Sequence, residues 1–194
     1  MTETFKSVYS KYNNILKPLI AEQEARQEVF ALPLLDNLAE MFDNVAMADG
    51  AGNEEGMQKF LSRSSLMLDV CISQCYQYLV ASLLDDIEKF EKQAPKKVRY
   101  HLDGGNFCGK YEPLRDEVSS LISKSGGMTD VAALPIYEKA YHSLKKLSEL
   151  ISQQTGSMII ANYEKESWMK TILRKVLAIL ISLLVGVVLG LIIG

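Results

Sequence analysis

Histidine is scarce, cysteine is odd in number and basic charge is in deficit: the 194 residues hold two histidines and three cysteines, and 21 Lys and Arg stand against 24 Asp and Glu. A net charge of -3 and a pI near 5.5 leave no basic surplus for a phosphate backbone, so nucleic acid is not an expected partner. Cys71, Cys75 and Cys108 cannot pair off completely, and in a reducing compartment they predict no disulfide framework. Met1 to Asn14 is polar and lacks the apolar core of a secretory signal. The most telling absence is at the other end, where no charged residue occurs from Val176 to Gly194.

At about 1.5 Å per residue, a helix over that segment reaches roughly 28 Å, against the ~30 Å of hydrocarbon a spanning helix crosses. The expectation is a single C-terminal transmembrane anchor, residues 171–194, below a helical domain of residues 1–170. Lys165, Lys170, Arg174 and Lys175 crowd its N-terminal flank, and Trp168 and Tyr163 stand where interfacial aromatics belong. Trp168, Lys170, Arg174 and Lys175 are therefore read as interface anchors, and the positive-inside bias puts the N-terminal domain in the cytoplasm. Such a tail-anchored topology suits a bacterial inner membrane or an endoplasmic reticulum. Within the span Ala178, Ser182, Gly186, Gly190 and Gly194 fall at every fourth position. On a helix they form a slowly winding groove that lets a second backbone approach closely, which predicts self-association and a homo-oligomer.

Upstream, helical periodicity predominates, and the fold class expected is all-α, an antiparallel bundle. Phe5, Val8, Tyr12, Ile15, Leu16, Leu19 and Ile20 predict an amphipathic helix from Glu3 to about Phe30, with Pro18 as a kink. A second helix should start at Pro33 and stop at Asp49-Gly50. The third, from Glu54 to about Ala94, carries one broad apolar stripe and reads as the bundle's central helix. Its Asp69, Gln74 and Gln77 argue against its crossing a membrane. A short helix over 111–124 and a last one from Leu134-Pro135 toward the tail complete the set. Between them, β-favouring Val98 to Leu102 followed by Asp103-Gly104 predicts a small β-hairpin near 98–110.

Chemistry-bearing motifs are few. Gly104 to Lys110 matches G-x-x-x-x-G-K, but Tyr111 stands where magnesium needs Ser or Thr, so the glycines are read as turn residues. Cys71, Cys75, Cys108 and His101 could supply four zinc ligands, yet helical cysteines four apart are more simply core residues. Asp85, Asp86, Glu88 and Glu91 alternate with lysines at helical spacing, as on a solvated face. His142 has no carboxylate partner in sequence, and no nucleophile and base can be assembled. No enzyme, cofactor or metal is expected.

The function expected is that of an adaptor: the bundle binds a protein partner while the glycine-faced helix associates in the membrane. The alternative is a membrane-disrupting or channel-forming effector, since stacked small-residue helices resemble the glycine zippers of channel-forming proteins. With Ser182 as its one polar group, however, the span would line a pore poorly. The layout also resembles that of SNARE proteins, but Gly126-Gly127, Pro135 and Gln153 to Gly156 interrupt the heptads such proteins need.

Overall fold

The computed structural model describes residues 3–27, 32–153, 169, 172–174 and 177. Among them every regular element is helical: α1 (Phe5–Lys11), a π-helical turn (Tyr12–Leu16), α2 (Lys17–Gln27), α3 (Leu32–Asp49), α4 (Glu54–Gln93), α5 (Lys96–Arg99), a 3-10 turn (Leu102–Gly105), α6 (Phe107–Ser125) and α7 (Asp130–Ser152).

The first predicted helix is thus real but not uniform. Pro18 has no N–H to give the carbonyl of Asn14, and its ring would crowd that carbonyl in a regular helix. The chain widens one turn just before it, where the Lys17 N–H bonds to the Tyr12 carbonyl. The extra residue shifts the helical phase: Val8, Leu16 and Leu19 are buried, whereas Ile15, which the simple periodicity places on the apolar face, is exposed. The start of α1 is closed by a reciprocal cap in which Thr4 and Ser7 each accept from the other's backbone N–H.

α4 is the spine. The Asn53 side chain accepts from the Gly56 N–H at 2.7 Å, with Glu54 and Glu55 in the favourable first turn. The helix is long and apolar enough to cross a membrane, and half of its most apolar stretch is buried in the bundle. The polar residues that sequence reasoning counted against crossing are partnered inside the fold. Asp69 binds Lys11 at 2.7 Å, Gln74 accepts from Asn37 at 2.9 Å, and Gln77 donates to Asp130 at 3.1 Å.

The helices pack on this spine in alternating directions. α1 and α2 run alongside α4, with Lys11 against Asp69 and Arg26 against Asp86. α3 runs back, bringing Asn37 to Gln74 and the Met41 carbonyl to Ser64. α6 leaves the far end, where Tyr111 and Arg115 meet Glu91, and α7 begins with Asp130 at Gln74 and Gln77. α7 therefore returns toward the far end of α4, and Leu144 and Leu147 close the core there. Pro135, expected to mark its start, lies inside it: the helix already begins at Asp130, with the exposed ring in the second turn.

The predicted hairpin over 98–110 is not there. Val98 and Leu102 are buried while Tyr100 between them is exposed, so their four-residue spacing serves helical turns on the bundle rather than one face of a strand. Pro95 starts α5, and Asp103, Gly104 and Gly105 turn the chain with φ of 52°, 61° and 98°. The next helix then opens at Phe107, four residues before the predicted start, because Phe107 and Tyr111 stack at 5.1 Å and both seal against Phe90.

Candidate partner-binding groove

The residues that sequence reasoning singled out for association lie mostly outside the described residues: Ala178, Ser182, Gly186, Gly190 and Gly194, and the flanking Trp168, Lys170 and Lys175. Of that region Met169, Ile172, Leu173, Arg174 and Leu177 are helical, and all five are exposed.

The motif-like residues of the bundle are dispersed or structural. In the G-x-x-x-x-G-K match, Gly104 and Gly105 take positive φ in a turn, while Gly109 and Lys110 belong to α6. The Lys110 amine is held by Asp103 at 3.3 Å. Cys71, Cys75 and Cys108 are free thiols buried in the core, and His101 is exposed. Burial, with the charge of Glu112, raises the pKa of Cys108. Among the described residues no group of three or more His, Cys, Asp or Glu could hold a metal ion.

The acidic run on α4 divides. Asp85 and Asp86 share Lys89 on the surface, as helical spacing suggests. Glu91 instead turns inward, accepting from Tyr111 at 2.8 Å and from Arg115 at 3.3 Å, which ties α6 to the spine. Beside it Arg99, almost wholly buried, donates to the Ala94 carbonyl at 3.1 Å, lies 3.7 Å from Glu112 and sits over the Tyr111 ring. His142 is exposed and meets the edge of Tyr141.

What sequence reasoning missed is a groove. α1 and the π-helical turn form one wall with Phe5, Val8, Tyr9 and Tyr12, α3 forms the other with Met41, Phe42 and Val45, and between them lies a cavity of about 230 Å³. Met41 and Val8 make the floor at 1% and 4% exposure, whereas Phe42 at 51% and Tyr9 at 67% stand on the rims. Tyr12 meets Phe42 edge-on at 5.6 Å. The lining is apolar and aromatic.

Its electrostatics are one-sided. α3 carries Asp36, Glu40, Asp43 and Asp49 and no Lys or Arg. All four carboxylates are exposed, and none forms an ion pair among the described residues. The opposite wall offsets little of this: its cations are Lys6 and Lys11, and Lys11 is bound to Asp69. The sequence carries a signal of this wall in the acids of α3 interleaved with Leu35, Phe42 and Met47, whose side chains are all exposed.

No protein family, characterised protein or solved structure matches the chain.

Proposed function

We propose that this protein is an adaptor whose helical bundle binds a protein partner through the groove between α1 and α3, and whose apolar segment 176–194 holds it in a membrane and self-associates there. The observation that carries the binding half is the groove itself: exposed Phe42 and Tyr9 flank an apolar cavity, and α3, one of its walls, carries four exposed carboxylates with no ion pair among the described residues. Exposed aromatics around a pocket are the residues on which binding energy concentrates. The chemistry best matched to them is an amphipathic helix with apolar anchors three and four apart and a Lys- or Arg-rich polar face. Its cations would meet the α3 carboxylates while its anchors displace water from the cavity. The membrane half is supported by the uncharged run from Val176 and by the cationic flank Lys165, Lys170, Arg174 and Lys175. The small residues Ala178, Ser182, Gly186, Gly190 and Gly194 support self-association.

The test is site-specific photo-crosslinking in the native cells, with the probe placed at Phe42, at Tyr9 or at exposed Leu66 of α4. A single partner captured from the first two positions and not the third, through a basic amphipathic helix, is the expected result. Replacing Asp36, Glu40 and Asp43 with Lys should then abolish capture. Equal labelling from all three sites, or capture that survives the charge reversal, would exclude the groove.

A further inference from the structure

Acidic as the chain is, its charge is not evenly spread. From residue 92 to residue 110 stand Lys92, Lys96, Lys97, Arg99 and Lys110, with Asp103 as the sole carboxylate. The structure folds this stretch into one corner at the far end of α4, made of α5, the 3-10 turn and the first turn of α6. Arg99 is turned inward to Glu112 and Ala94, and Lys110 is paired with Asp103. Lys92, Lys96, Lys97, Tyr100 and His101 face solvent. Lys96 lies over the Tyr100 ring at 5.9 Å, which gathers cation and exposed aromatic into one patch.

The position of the corner is the second observation. α7 begins beside Gln74 and Gln77 and runs antiparallel to α6, its Ser143 and Lys139 reaching Glu117, so it ends at the level where α6 starts. α7 therefore ends at the level of the basic corner, and Lys165, Lys170, Arg174 and Lys175 and then the uncharged segment 176–194 follow it in sequence. The groove walls, α1 and the acidic α3, pack on the other half of the spine, around Ser64 and Asp69.

We infer that this corner is a membrane-facing surface that docks on anionic lipid headgroups, so that the bundle rests on the bilayer with its basic end down and its acidic groove turned to the cytosol. The inference rests on the reading of 176–194 as the anchor. A cytoplasmic leaflet is negatively charged, and each exposed Lys brought to it strengthens contact by roughly fivefold. Tethering by the same chain raises the local lipid concentration, so a few such contacts are enough to orient the domain. Tyr100 is of the amphipathic type that sits at headgroup level.

The experiment uses the full-length chain with Tyr100→Cys carrying a fluorophore, reconstituted into vesicles of phosphatidylcholine alone or mixed with phosphatidylserine, each with a headgroup-attached quencher. Buried Cys71, Cys75 and Cys108 are shielded from the label. Quenching should be several-fold stronger in the mixed vesicles, fall in high salt and be lost with Lys96→Glu/Lys97→Glu, whose exposed positions leave the helical circular dichroism unchanged. Equal quenching in both vesicles, no quenching in either, or quenching that survives the double reversal would overturn the inference. So would protection of the two lysines by added RNA but not by anionic vesicles. Extraction in alkaline carbonate reports separately on the anchor: a chain released from both vesicle types refutes the anchor reading, while lipid-dependent quenching still decides the role of the corner.

Discussion

Burial by itself would push the Glu22 carboxyl upward, yet hydrogen bonds from Tyr141 and Lys145 and the charges of Lys145 and Arg26 hold it below the ordinary carboxylate value. One side chain of α2 thereby fastens that helix to α7, while Arg26 reaches on to Asp86 of α4. A carboxylate whose pKa is lower folded than unfolded stabilises the fold fully above its unfolded value and loses that contribution as pH falls through the folded one. Glu22→Gln should therefore cost about 1–2 kcal/mol at neutral pH and progressively less at an acidic pH, as the native carboxyl becomes protonated. Urea unfolding of the two proteins at both pH values measures the difference. A penalty that stays constant with pH would mean that Glu22 contributes by packing and not by charge. The neighbouring residue gives a contrast, for Gln23 is almost wholly buried and neither of its amide atoms has a partner among the described residues.

Two glycines of the G-x-x-x-x-G-K match have opposite structural jobs, and substitution separates them. Gly104 holds a positive φ of 61°, so Gly104→Ala should destabilise by about 1 kcal/mol. Gly109 sits in α6 with open space where a Cβ would go, so Gly109→Ala should stabilise by about 0.5 kcal/mol. Thermal melting of each variant checks the signs, and two losses of equal size would contradict the turn-then-helix reading. This corner also marks where sequence legibility ends. The boundaries of α3 and α4 were readable because Pro33, Asp49-Gly50 and Asn53 punctuate strong apolar periodicity. Val98 to Leu102 was misread because β-branched and aromatic residues set local propensity, whereas burial of Val98, Leu102 and Phe107 against the bundle decided the outcome. The π-helical turn before Pro18 was unreadable for a related reason: a proline in a helix announces a disturbance but not its form. The groove was not legible because apolar periodicity does not say which side chains, here Phe42 and Tyr9, stay exposed.

The molecule's polarity comes from its spine, since forty residues of α helix reach about 60 Å and pack different partners at the two ends. α1 and the acidic α3 build an aromatic groove on one half; α5 and α6 build a basic corner on the other, where α7 ends. If that segment spans the membrane and associates through its small residues, several grooves would be displayed side by side, and a multivalent partner would be held far more tightly than a single groove allows. The dependence lies on Gly186 and Gly190, since a side chain at either position separates helix backbones that must approach closely. Gly186→Ile with Gly190→Ile should thus reduce an oligomer of the full-length protein in detergent to a monomer, as read by native mass measurement. The same substitutions should weaken capture of a bivalent partner by 10²-fold or more, as an order of magnitude, while leaving the affinity of one groove for one helix unchanged. An unchanged mass would remove the small-residue face from the assembly, and a loss of single-site affinity would show that the bundle, not the membrane segment, had been disturbed.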